Sequence, residues 1–314
     1  MSNRIPILIL GGSDRRPGPV PFGLTREQML AGFKGARRLP WGPCLAGELI
    51  ERVRESGRFA DPILIGPRQV YQGLVDCEIA SIEGDLAATL ASLRDLVRHR
   101  FEPLDPVAFC ACDVLPTADE IRRLMETGYD PVAECFFWGQ LVATGPEAMG
   151  ASGWKPSYAV RPAPGEAPVN VYPGHLVIAR CGALRMRLTN HLLQLAYRHR
   201  NLDLRKRWLP MLARGLGRLM FEYVRNLFRL RPSALSITIP RQCLRAYKKY
   251  SRGELTVPDF GDAAARVLLH RDYRGAAKIS PVQFAVTPLV SFAKDVDTVA
   301  EMDELFANGY GRAL

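Results

Sequence analysis

Three aspartates occupy positions where a carboxylate could do chemistry. Asp113 directly follows the apolar run 107–112. Asp295 and Asp297 stand just before 298–301, a segment with the helix capping-box pattern. Ligands of open α/β sheets bind beyond the carboxyl ends of the strands, so Asp113 would face a crevice where it could hold Mg²⁺ together with substrate phosphates. Each aspartate taken alone also fits a structural role, because a negative charge is favourable near a helix N-terminus.

A glycine-rich turn follows the first apolar run and has the sequence Gly11-Gly12-Ser13-Asp14-Arg15-Arg16-Pro17-Gly18. Residues without side chains let backbone N–H groups approach an anion, and the guanidinium groups add positive charge. A turn of this kind after the first strand of an α/β sheet favours a nucleotide phosphate. It fits a plain turn equally well, because the P-loop and G-x-G-x-x-G patterns are both absent.

These residues need a sheet to bring them together, and the sequence predicts one. Short apolar runs bounded by glycine, proline or aspartate are typical of strands buried on both faces, and helical periodicity separates them. Strands that alternate with helices predict an α/β fold with a mainly parallel sheet covered by helices on both faces. The predicted strands are 5–10, 62–65, 107–112, 175–179 and 282–292, and the predicted helices are 45–56, 85–98, one capped at 117–120, and one from about 298 to 308.

The composition fits a globular protein and excludes collagen, coiled coil and wholesale disorder. The chain has 314 residues, of which 47% are hydrophobic. The apolar run at the N-terminus is too short for a signal peptide, and no uncharged stretch reaches the roughly 18 to 20 residues of a spanning helix. Seven cysteines without a C-x-x-C pair favour a reducing compartment over a disulfide framework. The five histidines, including His175, have no metal-ligand spacing, and we interpret them as core or surface residues.

Several stretches together resemble one family. Residues Ile9-Leu10-Gly11-Gly12-x-x-x-Arg16-x-Gly18 are similar to the pattern L-A-G-G-x-G-x-R-M-G, and 39–53 are similar to L-P-x-G-x-P-L-I-E-x-V. Glu83-Gly84 with Thr89-Leu90, then 111–116, then 295–302 match later motifs in the same order. These motifs are typical of nucleotidyltransferases with a GT-A-like fold, including the molybdenum-cofactor guanylyltransferase-like and sugar- or cytidylyl-transferase branches. The resemblance covers about 1–195 and 280–310.

The resemblance implies transfer of a nucleoside monophosphate from an NTP to a phosphate or phosphonate acceptor, with release of pyrophosphate. Asp113 and Asp297 would hold Mg²⁺, and Arg16 and Lys34 would neutralise charge as the leaving group departs. Such a division of labour suits phosphoryl chemistry, which depends chiefly on positioning and electrostatic stabilisation. The implied nucleotide-binding residues are Gly11, Gly12, Ser13, Arg16, Gly84 and Thr89, and the implied acceptor-binding residues are Lys155 and Tyr158.

The chain departs from the family pattern at its lysine. Pro21 stands where the molybdenum-cofactor branch usually has a catalytic lysine, and Lys34 is the nearest candidate for that cation, with Arg37 and Arg38 as substitutes. Two alternatives therefore stay open. One is a GT-A glycosyltransferase that uses a nucleotide sugar, and the other is a catalytically inactive relative that serves as a membrane- or partner-binding module.

A basic segment carries the positive charge of the whole chain. The formal net charge is +10, and residues 198–252 contain fifteen Lys or Arg against two acids. Five arginines from Arg207 to Arg229, spaced seven or four residues apart, fall on one side of a predicted helix with leucines opposite. The basic side of such a helix could be the solvated face of a packed insertion, or it could bind an anionic membrane surface or nucleic acid. Because no recognised nucleic-acid-binding motif accompanies the charge, we do not expect nucleic acid.

These patterns predict two parts of the chain. Residues 1–197 and 279–314 form the predicted nucleotidyltransferase core. Residues 198–278 form a predicted basic helical insertion, for which a membrane-facing side is one of the open alternatives. We expect a cytoplasmic protein, peripheral at the inner membrane face if the basic helix binds lipid. The expected partners are an NTP and a phosphorylated small-molecule or lipid-linked acceptor.

Overall fold

A nine-stranded mixed sheet with helices on both faces forms the body of the protein. The computed structural model describes residues 4–12, 20–21, 23–82, 86–131, 135–198, 235–274 and 280–308. The strands are β1 Ile7–Leu10, β2 Ile63–Gly66, β3 Glu78–Ser81, β4 Pro106–Ala111, β5 Phe137–Ala143, β6 Tyr158–Val160, β7 Val169–Pro173, β8 Leu176–Arg180 and β9 Val282–Thr287. The helices are α1 Leu45–Ser56, α2 Arg68–Tyr71, α3 Leu86–Arg100, α4 Ala118–Gly128, α5 Pro146–Met149, α6 Met186–Arg198, α7 Leu235–Ser251, α8 Val257–Leu268 and α9 Val299–Asn308.

The sheet confirms the predicted α/β class and is mostly parallel. Its hydrogen-bonded path runs β3-β2-β1-β4-β8-β5-β7-β6, and β9 pairs with β5. β1 pairs in parallel with β2 and β4, and β9 is parallel to β5. The predicted strand 175–179 is present as β8, but it runs antiparallel to both of its neighbours.

Alternating side chains of β1 reach two different cores. Ile7 and Ile9 pack on one face with residues of α1 and α4, whereas Leu8 packs on the other face with residues of α3 and α8. A strand buried on both faces is the expectation for the apolar run at the start of the chain. That strand begins at Ile7 rather than Ile5, which forms an isolated bridge with Phe59.

The predicted strand 282–292 is shorter than expected. β9 ends at Thr287, and Val290–Phe292 forms a 3₁₀ turn. Pro288 follows the strand directly, and because proline has no backbone N–H it cannot extend the ladder. The turn leads the chain back over the sheet toward Asp295.

A two-residue bulge divides one long strand into β7 and β8. β5 pairs with β8 through Trp138 and Ile178 and with β7 through Val142 and Tyr172, so the register shifts by two residues between the halves. Since β5 occupies one edge of this strand, β4 and β6 share the other edge, where they pair with β8 and β7 respectively. The carboxyl end of β4 and the amino end of β6 therefore approach each other beside the bulge.

Part of the segment predicted as an insertion packs directly on the sheet. Ala265 of α8 and Leu269 after it belong to the core that contains Leu8. At Gly261 an added Cβ would lie 2.7 Å from the carbonyl oxygen of Val282, so α8 lies very close to β9. The predicted helix Arg207–Arg229 lies outside the described residues, and the boundary of the insertion stays a prediction.

The packing of the bulge predicts that the stability of the protein depends on the absence of a side chain at position 174. A Cβ at this position would lie 2.2 Å from Cγ of the buried Gln140, so Gly174→Ala should destabilise the protein by about 2 kcal/mol through overpacking. In a Gln140→Ala background, which removes Cγ, the same substitution should cost only a few tenths of a kcal/mol. Urea unfolding of the four proteins measures both values. An equal cost in the two backgrounds would show that this contact is not the reason for the glycine.

Candidate functional site

Backbone pairing brings three distant segments of the chain to the end of β4. The N–H of Val296 donates to the carbonyl of Asp113 at 2.9 Å. The N–H of Leu30 donates to the carbonyl of Asp297, also at 2.9 Å. An antiparallel bridge between Met29 and Thr298 extends this contact. The positions of Asp113 and Asp297 are therefore fixed by main-chain hydrogen bonds.

The side chains of three aspartates meet at this junction. Carboxylate oxygens of Asp113, Asp295 and Asp297 all lie within 4.8 Å of one another. Asp295 and Asp297 are buried, and Asp113 is partly exposed. The resemblance implies Asp113 and Asp297 as metal ligands, whereas it assigns no ligand role to Asp295.

Lys34 joins two of these carboxylates. Its Nζ lies 3.3 Å from Oδ2 of Asp113 and donates a second hydrogen bond to Oδ1 of Asp297. Lys34 opens a short 3₁₀ turn, Lys34–Ala36, in the segment that pairs with the loop around Asp297. The structure thus places the candidate lysine against the carboxylates, and its role toward phosphates stays a prediction.

Lys155 lies on the buried side of the same cluster. Its ammonium donates to the side chain and the carbonyl of Asp295 and lies 3.1 Å from Oε1 of Glu301. Burial alone would lower the pKa of Lys155, but the carboxylates of Asp295, Glu301 and Asp297 outweigh it and raise that pKa. The ammonium faces carboxylates rather than an open acceptor surface, so a role in acceptor binding stays an untested prediction.

The capping box at the start of α9 positions the Asp297 loop. Oε2 of Glu301 accepts hydrogen bonds from the N–H groups of Asp297 at 2.6 Å and Thr298 at 2.8 Å. The hydroxyl of Thr298 accepts the N–H of Glu301 at 3.2 Å, which completes the predicted box. Ser152 donates to the other carboxylate oxygen of Glu301 at 2.6 Å.

His175 is part of the site, contrary to its interpretation from sequence as a core or surface residue. It lies in the bulge, and its Nε2 is 3.3 Å from Oδ1 of Asp295. Burial opposes protonation of the ring, but the Asp295 carboxylate outweighs burial and raises the pKa of His175. Burial would likewise raise the pKa of Asp295, yet the positive charges of Lys155 and His175 hold it well below its usual range.

At the start of the diglycine turn, both backbone groups of Gly11 are hydrogen-bonded. The N–H of Gly11 donates to the carbonyl of Ile65 at 2.8 Å, and Oη of Tyr71 donates to the carbonyl of Gly11 at 2.8 Å. Gly12 is exposed, and a Cβ there would lie 3.9 Å from the hydroxyl of the buried Thr89. Backbone contacts to an anion would therefore come from Gly12 onward. Ser13, Arg16 and Gly84 lie outside the described residues.

Tyr158 is the second residue implied to bind the acceptor. It begins β6 and packs beside the apolar cluster of Leu141, Val160 and Val171. Its predicted contact with an acceptor is untested.

Sequence reasoning missed four residues of the site: Asp295 as a cluster member, His175, Glu301 as a partner of Lys155, and Ser152. Asp295 carries a visible signal, because the Asp-x-Asp spacing puts two carboxylates on one short loop. His175 carries none, since its contact with Asp295 depends on the bulge between β7 and β8.

The donor set fits a hard divalent cation. Three carboxylates within a few ångströms offer the oxygen ligands that Mg²⁺ prefers, and Mg²⁺ needs only one or two of them because it retains several waters. No cysteine belongs to this group, and the one nearby imidazole is directed at Asp295.

Comparison with known proteins supports the fold. No protein-family model matches the chain, and no curated protein matches it. A hypothetical transferase from Thermus thermophilus matches with a TM-score of 0.53 and 18% identity, over 95% of this chain and 99% of that chain. That match confirms the expected fold.

Two further solved structures are similar over part of the chain. A CMP:2-keto-3-deoxy-manno-octonic acid synthetase in complex with CTP has 12% identity and a TM-score of 0.40, over 60% of this chain and 78% of that chain. A 4-diphosphocytidyl-2C-methyl-D-erythritol synthase has 10% identity and a TM-score of 0.37, over 62% of this chain and 80% of that chain.

Within the part of the chain that the structure describes, no helix combines the length and the apolar character needed to cross a bilayer.

Burial of the Lys155 ion pairs predicts a large effect on stability. Lys155→Met should lower the free energy of unfolding by about 3 to 5 kcal/mol, because it leaves buried carboxylates without their cation. The matched control is Lys249→Met, which breaks a more exposed pair with Asp259 and should cost at most about 1 kcal/mol. Denaturant unfolding compares the two. If Lys155→Met costs no more than the control, the Lys155 ammonium does not stabilise the cluster.

Proposed function

We propose that this protein is a nucleotidyltransferase that transfers a nucleoside monophosphate from an NTP to a phosphate- or phosphonate-bearing acceptor and releases pyrophosphate. The observation that carries the proposal is the convergence of Asp113, Asp295 and Asp297 beyond β4, with Lys34 between them. Ligands of open α/β sheets bind beyond the carboxyl ends of the strands, and these carboxylates lie at the carboxyl end of a central strand.

The cofactor of the proposed reaction is Mg²⁺, and the residues that would hold it are Asp113 and Asp297, with Asp295 adjoining. When bound, Mg²⁺ would supply positive charge that stabilises the negative charge developing on the departing pyrophosphate. Because both aspartates are fixed by backbone hydrogen bonds, their carboxylates need little reorganisation to receive a ligand.

The remaining residues of the proposed site bind and neutralise phosphate. The backbone N–H groups of Gly12 and Ser13 would approach the triphosphate, and Arg16 and Lys34 would balance the charge that develops on pyrophosphate. Gly84 and Thr89 would lie toward the nucleoside. This assignment needs no covalent enzyme intermediate, since direct attack by the acceptor oxygen on the α-phosphate displaces pyrophosphate with its electron pair.

Removal of one carboxylate should abolish most of the activity. With an NTP, Mg²⁺ and a phosphate-bearing acceptor present, Asp297→Asn should lower the rate of pyrophosphate release by at least about a hundredfold, because it removes a charge that organises the phosphates. The control is Asp119→Asn, an exposed carboxylate of α4, which should leave the rate unchanged. A coupled phosphate assay with inorganic pyrophosphatase measures both variants across ATP, CTP, GTP and UTP.

Other products would contradict the proposal. Free nucleoside diphosphate from a nucleotide sugar, without pyrophosphate from any NTP, would indicate the glycosyltransferase alternative. The absence of metal-dependent NTP binding in calorimetry, together with no pyrophosphate release, would indicate an inactive relative.

For the acceptor, we propose a molecule linked to an anionic membrane, such as a phospholipid precursor or a headgroup phosphate. The support is the sequence of 207–229. In the helix predicted there, arginines lie on one side, and leucines with flanking aromatic residues lie on the opposite side. A peripheral site would place the transferase beside such an acceptor.

This part of the proposal predicts sedimentation with anionic vesicles. At low salt the full-length protein should pellet with phosphatidylglycerol-containing liposomes but not with pure phosphatidylcholine, because basic residues gain about 1 kcal/mol each near an anionic surface. A variant with Arg214→Gln, Arg218→Gln and Arg225→Gln should lose most of this binding. Equal pelleting with both lipids would rule out the charge-dependent membrane contact.

A further inference from the structure

Lys34 makes contacts that a divalent cation would also require. Its ammonium joins Asp113 and Asp297, the two carboxylates assigned to the metal in the proposed function. Carboxylate oxygens that accept hydrogen bonds from an ammonium must exchange them before they coordinate a cation fully. Lys34 and a metal ion therefore compete for the same charge on the same oxygens.

The two lysines of the cluster differ in how tightly they are held. The Lys155 side chain is 9% exposed, and it contacts Asp295 and Glu301 from the interior. The Lys34 side chain is 17% exposed, and it contacts both the buried Asp297 and Asp113, the most exposed of the three aspartates. Release of Lys155 would leave buried acids without a cation, whereas Lys34 can leave toward solvent while an incoming cation replaces its charge.

The backbone next to Lys34 is tightly packed, so the exchange needs a movement of the Lys34 side chain alone. At Gly35 a Cβ would lie 2.7 Å from Sγ of Cys112 and 3.0 Å from Oη of Tyr71. Tyr71 also contacts Gly11, to whose carbonyl it donates. The Tyr71 side chain therefore lies between Gly35, the neighbour of Lys34, and the start of the diglycine turn. An ammonium released from the aspartates would move toward an anion at that turn.

We propose that Lys34 is an exchangeable internal counter-ion: it neutralises Asp113 and Asp297 when no metal is bound, and a divalent cation displaces it toward the phosphates of the nucleotide. The inference rests on the proposed function for the identity of the site, but it concerns the order of events there. The free protein binds the metal weakly, because the cation must first displace an ammonium. Metal and nucleotide then assist each other, since the displaced ammonium gains the phosphates as partners.

Binding of Mn²⁺ alone, without nucleotide, tests the exchange. Electron paramagnetic resonance of free Mn²⁺ gives the dissociation constant of the full-length protein and its variants. Lys34→Met and Lys34→Gln should bind Mn²⁺ about tenfold more tightly than the unmodified protein, because the competing cation is gone. Lys34→Arg keeps the positive charge and should stay near the unmodified value. Adding Asp297→Asn to Lys34→Met should remove the gain.

A second lysine provides the matched control. Lys294 is 14% exposed and lies 2.9 Å from Glu304, a carboxylate outside the aspartate cluster. Lys294→Met should therefore leave Mn²⁺ affinity unchanged, which separates competition at the cluster from a general loss of positive charge. Thermal melts of all variants show that each is folded.

The possible outcomes distinguish this inference from the proposed function. Equal Mn²⁺ affinity with and without Lys34, lost in Asp297→Asn, would overturn the exchange while the metal site stands. No measurable Mn²⁺ binding by any variant would also overturn it, and pyrophosphate release would then decide the function separately. Tighter binding in both Lys34→Met and Lys294→Met would assign the effect to net charge and contradict the exchange.

Discussion

Crowding of negative charge is the constraint on which this site depends. Asp113, Asp295 and Asp297 hold carboxylates within 4.8 Å of one another at a largely buried position, where like charges repel strongly. Lys155 offsets that repulsion from the interior and Lys34 from the outer side. Without these cations the mutual repulsion of the carboxylates would be uncompensated. The lysines therefore let three carboxylates share one small, largely buried space.

Main-chain hydrogen bonds and a helix cap hold the aspartates of this cluster in defined positions. The Asp297 loop is held from three directions: by Leu30, by the hydrogen bond between Val296 and Asp113, and by the capping carboxylate of Glu301. None of these contacts involves the aspartate carboxylates themselves. The oxygens are thus left to cations while the backbone carries the mechanical role, an arrangement that suits a site organised before its ligand arrives.

Local patterns in the sequence predicted the parts of this protein whose structure is decided locally. The helix 45–56 has the predicted ends, because its apolar spacing and the αL glycine at 57 mark them, and the capping boxes at Thr117 and Thr298 are present. The same patterns could not show that His175 and Lys155 meet Asp295. Those contacts depend on the antiparallel direction of β8 and on a change of register, which arise only when strands far apart in sequence pair.

The bulge at Gly174 and His175 has an even number of extra residues, and this parity matters. In a strand, side chains alternate between faces, so one extra residue would have inverted every side chain on one half of the strand. With two extra residues, Tyr172 and Ile178 still enter the same core. The long strand can thus pair with β4 along β8 and with β6 along β7. The bulge leaves a gap between β4 and β6, and the apolar side chains of both halves still point inward. The sheet therefore accommodates a polar site at its middle while the apolar layer that contains Tyr172 and Ile178 stays continuous.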